Sequence, residues 1–269
     1  ASPDAPLLER ARLRCALAFE HAGRLDEAVD VLPEQIEDAR LGPELAVVAS
    51  VVRLGAAIDR EDWADCDARS AQLDAHLDSC GQTERARVLG VARGAQGRAL
   101  LHQRRVSDAI ARFHEAIAWH REAQRHELAR SRVHLASALR VAGDPSAALR
   151  ELDAARLDLA ITRERSRPYA ATTEMFLHYE QARALLDAGR VDEARYTAEA
   201  ALRRAGVRGF WPQLGVLRVL AWAHAQLGDT AAAAVAIDRM RRLAVPPAHE
   251  GLRDRLLTEA EAGPGDVIY

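Results

Sequence analysis

AGRVDEA at residues 188–194 and AGRLDEA at 22–28 differ at a single position, although they lie far apart in the chain. Each reads as one helix ending and another beginning. A glycine suits the left-handed residue that closes a helix. The acids just beyond it suit the positive N-terminus of the next helix. Looser versions are REDWADC at 60–66, QRRVSDA at 103–109, AGDPSAA at 142–148 and LGDTAAA at 227–233. In AGDPSAA, Asp144 followed by Pro145 is a good helix-start pair. The aligned turn positions are 23, 61, 104, 143, 189 and 228, spaced 38, 43, 39, 46 and 39 residues apart. Each period holds two helices of about four turns and two short connections, the layout of a helical-hairpin solenoid.

The residues around each turn support this period. Leu135, Ala136 and Leu139 precede the fourth turn, and Ala148, Leu152 and Ala155 follow it. Steps of three and four put them on one stripe per helix. Ala182, Leu185, Ala194, Ala198 and Ala201 repeat the pattern around the fifth turn. Gly97, Leu100, Ala109, Phe113 and Ala116 do so around the third. In this arrangement of small and large residues the chain resembles tetratricopeptide repeats. The resemblance covers roughly residues 8–240. It implies an all-α fold, a right-handed α-α superhelix of about six helical hairpins with 249–262 as a C-terminal capping helix. The units exceed the family's usual length, so extra turns or longer linkers are expected, as at 161–170 and 204–213. Such long units resemble the repeat regions of bacterial signalling and transcriptional regulators. Unit two departs most, with Glu61 at the turn and Cys66 in place of the alanine.

Composition excludes several classes. Alanine and leucine dominate the apolar content, and aromatic residues are only 4%, which suits helices rather than strands. The 37 basic and 40 acidic residues give a net charge of −3, so bulk charge offers nothing to nucleic acid. No apolar run approaches a membrane span. Cys15, Cys66 and Cys80 are scattered and odd in number. They read as free thiols of a reducing compartment, so a cytoplasmic location is expected. The opening ASPDAP reads as a linker, so the chain is expected to be excised from a larger protein.

Chemistry finds little support. His114, His120 and His126 turn about 240° per step around a helix and share no face for a metal. No nucleophile elbow surrounds a serine. The run GVARGAQGRA at 90–99 falls inside a first helix, where its glycines permit close packing rather than phosphate binding. Catalysis, metal and cofactor are therefore not expected.

Binding residues are sought on the first helices, which line the concave face of a hairpin solenoid. The faces turned away from the hairpin partner carry Arg98, Arg130, His134, Arg140, Tyr179, Arg183, Arg218 and Trp222. Arginine with aromatics is the composition of interaction hot spots, and arginine pairs with carboxylates. The lysine and asparagine set with which some family members hold a terminal carboxylate is missing. The expectation is a noncatalytic scaffold or sensor domain of a larger bacterial regulatory protein. It would bind a protein or peptide, with another domain of the same full-length protein as one candidate partner. The alternative is a substrate-recruiting region of a larger enzyme such as a caspase-like protease. Residues 1–262 are expected to form a single solenoid domain, with 263–269 as a tail or junction.

Overall fold

The computed structural model describes residues 12, 15–16, 25–32, 43–122, 127–165, 167–205, 210–245 and 250–263. Among them every regular element is a helix. In order these are α1 (Leu25–Asp30), α2 (Pro43–Asp59), α3 (Trp63–Ser79), α4 (Gln82–His102), α5 (Val106–Glu122) and α6 (Leu128–Val141). There follow α7 (Pro145–Arg165), α8 (Arg167–Asp187), α9 (Val191–Ala205), α10 (Phe210–Gln226), α11 (Thr230–Arg242) and α12 (Glu250–Ala262). The first aligned turn, around Gly23, and tail residues 264–269 lie outside the described residues.

The helices close in the manner set by the repeated turns. Glu61 (φ 56°) and Arg104 (φ 65°) are left-handed, as are Gly143 (φ 86°), Gly189 (φ 72°) and Gly228 (φ 79°). At each, paired backbone bonds satisfy carbonyls of the ending helix. Gly189 N donates to Leu186 O at 2.9 Å and Arg190 N to Leu185 O at 2.8 Å. Glu61 N donates to Ile58 O, and Asp62 N to Ala57 O, both at 3.0 Å. This is the Schellman closure, in which glycine is favoured because it has no Cβ to clash. The next helix is capped from the turn: the carboxylates of Asp62, Asp144 and Asp229 accept from Asp65 N, Ala147 N and Ala232 N at 3.0, 2.8 and 2.9 Å. Glu61 and Arg104 thus hold a strained conformation that the sister turns give to glycine. Glu61→Gly and Arg104→Gly are each expected to stabilise the chain by about 1 kcal/mol. A rise in the thermal midpoint of each variant checks this.

The chain falls into two compact units, 1–138 and 139–269. In the first, hairpin α2–α3 packs on hairpin α4–α5 chiefly through α2 and α4. Val47, Val51, Leu54, Leu73, Leu77, Val88 and Ala92 form the buried seam. Cys66 belongs to it, and burial followed by the neighbouring aspartates pushes its thiol up to about 11. Such a thiol is inert near neutral pH. In the second unit α7 pairs with α8, α8 with α9, and α10 with α11, while α12 rests on α10 and α11. Ala182, Leu185, Ala194, Ala198 and Ala201 are buried there with Leu214, Leu217, Leu220 and Met240. The small residues at four-residue spacing let the paired helices approach closely.

The length beyond an ordinary unit resides in helix. α4, α7 and α8 each run 21 residues, so most of 161–170 is helical rather than linker. Likewise α10 begins at Phe210, inside the 204–213 stretch read as linker; the Phe210 and Trp211 side chains lie outside the described residues.

Candidate functional site

The candidate residues separate into two clusters, one in each unit. In the first unit, α4 carries Arg98 and His102, and α6 carries Arg130 and His134. A separation of four residues keeps each pair on one helix face. His134 stacks on Phe113, with ring centroids 5.8 Å apart and planes 18° from parallel. Phe113 is wholly buried, so the stack holds the imidazole against the core. Burial, then the positive charges of Arg130, Arg98 and His102, holds the His134 pKa well below the ordinary histidine value. The ring is therefore neutral at pH 7, and either of its nitrogens can accept a hydrogen bond according to tautomer. Arg98, His102 and Arg130 are half-buried, and each has neighbours of its own. The cluster is a convergence of basic groups around a neutral ring.

A pH dependence follows from the direction of that shift. The unfolded chain takes up a proton on His134 near its ordinary pKa of about 6.5, while the folded chain resists it. The contribution is fully present above about pH 6.5 and is lost as pH falls below it toward the folded value. His134→Gln is expected to flatten this acid limb, which amounts to at most about 1.4 kcal/mol per pH unit. Urea midpoints at pH 7.5, 6.5 and 5.5 for both chains provide the check.

In the second unit Arg140, Tyr179, Arg183, Arg218 and Trp222 are brought together as a buried polar network rather than laid out on an open face. Arg218 is 1% exposed, Arg183 3%, Tyr179 4% and Trp222 5%. The Arg218 guanidinium donates to the Tyr179 hydroxyl at 2.9 Å and pairs with the Glu259 carboxylate. It also lies 4.8 Å from the Trp222 ring centroid, whose indole N–H donates to the Glu259 backbone carbonyl at 3.1 Å. Arg183 sits 5.3 Å from the Tyr179 ring centroid and donates to Glu180 at 3.4 Å. Arg140 donates through Nε to Glu180 at 3.4 Å and through Nη1 to Asp187 at 3.0 Å. The reason is geometric. A face turned away from its hairpin partner meets the neighbouring first helix, as α8 meets α10 and α10 meets α12.

Sequence reasoning overlooked Asp187 and Glu259, the acids that engage these arginines. Their signal was present: three buried arginines in one helical layer require carboxylates close by. Gly215 was missed too. A Cβ there would lie 2.8 Å from the Tyr179 ring, so the glycine lets that ring reach Arg218.

Other features are explained by packing. The Ser50 hydroxyl lies 3.0 Å from His76 Nδ1, and Ser50 is 0% exposed, so the bond satisfies a buried hydroxyl. A groove of about 480 Å³ lies over α4 between α3 and α5. Several of its polar side chains are engaged from α4: Asp74 and Glu115 by Arg93 at 2.6 and 3.1 Å, and Asp67 by Gln103 at 3.0 Å. Among the described residues no group of histidine, cysteine and acidic side chains is placed to hold a metal, and no helix is long and apolar enough to cross a membrane.

The repeated turns, the paired helices and the small-residue stripes define an all-α helical-repeat fold of the tetratricopeptide type. A solved structure titled "Functional Characterization of Pseudomonas Aeruginosa pilF" shares this fold, with a TM-score of 0.52 over 92% of this chain and 97% of that chain. The two are 16% identical, so the likeness concerns architecture alone. No family model and no curated protein sequence matches the chain.

Proposed function

We propose that the chain is a noncatalytic interaction scaffold or sensor domain of a larger bacterial regulatory protein, working in the cytoplasm and binding a protein or peptide. The observation that carries this reading is the gathering of Arg98, His102, Arg130 and His134 from α4 and α6 around one stacked ring. Two helices supply it, their four-residue spacing fixes it, and its chemistry suits a carboxylate-bearing segment. Arg98, Arg130 and His134 are the contact residues of this reading. Arg140, Tyr179, Arg183, Arg218 and Trp222 hold neighbouring helices of the second unit in register. The fold likeness to the PilF structure supports a helical-repeat framework, whose stacked hairpins create extended binding surfaces.

The test uses immobilised acidic, neutral and basic peptides of equal length. The wild-type chain is expected to be retained by the acidic set. Arg98→Ala with Arg130→Ala is expected to weaken retention by about tenfold or more while the helical circular dichroism is kept. Equal retention by the folded double variant would sink the assignment.

A further inference from the structure

The helix α12 is held differently from every other first helix in its unit. Of its 13 residues only Leu256 and Ala260 are buried, with Leu252 and Leu257 partly buried against the same core. By contrast α10, on which it rests, is buried without interruption from Leu214 to Ala223. The polar hold comprises the Glu259 carboxylate on Arg218, the Glu259 carbonyl on the Trp222 indole, and an exposed pair of Arg241 with Glu261 at 2.6 Å that contributes little in water. Arg218 is itself positioned by Tyr179 and stacked on Trp222, and its Nε is buried with no hydrogen-bond partner.

Two physical arguments make this a docking site as well as a cap. First, the Coulomb gain of a buried ion pair is largely offset by desolvation. Lifting α12 returns water to Arg218 and Glu259 together, so the pair adds little net hold. The few apolar contacts then set the opening free energy, which lies well below that of global unfolding. Second, the vacated face is selective. An apolar helix without a carboxylate would bury the Arg218 charge uncompensated, which disfavours it strongly. The requirement is for leucine and alanine at four-residue spacing, with a glutamate one residue before the alanine, as in Leu252, Leu256, Glu259 and Ala260.

We propose that the face of α10 beneath α12, centred on Arg218 and Trp222, is a helix-docking site. Its resident occupant is α12, and its external partner is an amphipathic helix carrying that same leucine–alanine stripe and glutamate. The resident helix thereby sets a threshold that a partner must exceed. This site lies in the second unit and stands independently of the basic cluster on α4 and α6.

The experiment uses the full chain and a fluorescein-labelled peptide of sequence EGLRDRLLTEAEA, residues 250–262. By hydrogen exchange, α12 amides are expected to exchange about tenfold or more faster than those of α10. Leu256→Ala in the chain is expected to loosen the resident helix and tighten peptide binding by about tenfold, while Glu259→Gln in the peptide weakens it by a similar factor. If Leu256→Ala does not fold, Leu252→Ala takes its place, because that side chain is only partly buried. Three outcomes each overturn the proposal: exchange in α12 as slow as in α10, no peptide binding to a folded loosened chain, or equal binding of the glutamine peptide.

Discussion

Gly97→Ala is expected to destabilise the first unit by about 2 kcal/mol, while Gly94→Ala, one turn earlier in the same helix, stabilises it by about 0.5–1 kcal/mol. A Cβ on Gly97 would lie 2.7 Å from Cε1 and 2.8 Å from Cδ1 of Phe113. Phe113 is wholly buried and stacked under His134, so its ring has nowhere to retreat. Gly94 meets nothing within 4 Å, so alanine there gains helix propensity without a clash. Gly90 resembles Gly97, since its Cβ would fall 2.6 Å from Cε1 of the buried His120. Phe113→Ala is expected to cost about 3–5 kcal/mol through the cavity it leaves. The double variant Gly97→Ala with Phe113→Leu is expected to recover part of the first loss, because the smaller side chain admits the methyl group. Urea unfolding followed by circular dichroism measures all of these. Equal midpoints for Gly94→Ala and Gly97→Ala would show that the helices can part to accept a side chain.

These three glycines mark how far the sequence could be read. GVARGAQG is legible as a helix whose glycines allow close packing, because nothing about it suits a phosphate. Which glycine matters is not legible, since that depends on a ring sixteen residues away in the case of Gly97 and Phe113, and on another helix in any case. The turns were the most legible feature. Local chemistry sets them, so even Glu61 and Arg104 could be aligned with glycines before their left-handed φ values were known. The excess unit length was visible as a number but not as helix, since a register of 3.6 residues runs through 161–165 without any marker of its own. The candidate site was half legible. Spacing assigns Arg98, Arg130, Arg183 and Arg218 to faces turned away from the hairpin partner. It could not say whether such a face meets solvent or the next first helix, which is decided by stacking between residues some forty positions apart. Glu259 went unremarked because it belongs to the terminal helix, and a cap is normally read for the apolar surface it covers rather than for an acid it delivers.

Arg140→Met is expected to cost about 2–3 kcal/mol, and the double variant Arg140→Met with Glu180→Met to recover at least half of that. The Arg140 side chain is 7% exposed and joins Glu180 on one side to Asp187 on the other. Asp187 is nearly half exposed, so losing Arg140 leaves it solvated at little cost. Glu180 is different. Its side chain is 9% exposed, and of its two arginine contacts, each 3.4 Å long, losing Arg140 leaves that from Arg183, which halves the compensation of a buried charge. Removing one member of a buried pair strands the other, whereas replacing both by apolar groups of similar volume removes the desolvation penalty as well. The cycle of Arg140→Met, Glu180→Met and the double variant therefore yields a coupling energy of about 1.5 kcal/mol or more if the network is structural. The same cycle decides what Arg140 is for. Strong coupling together with unchanged retention on acidic peptides makes it a residue that holds α8 in register. Additive effects with lost retention would return it to the recognition surface beside Arg98 and Arg130, and the buried layer of the second unit would then rest on Arg183 and Arg218 alone.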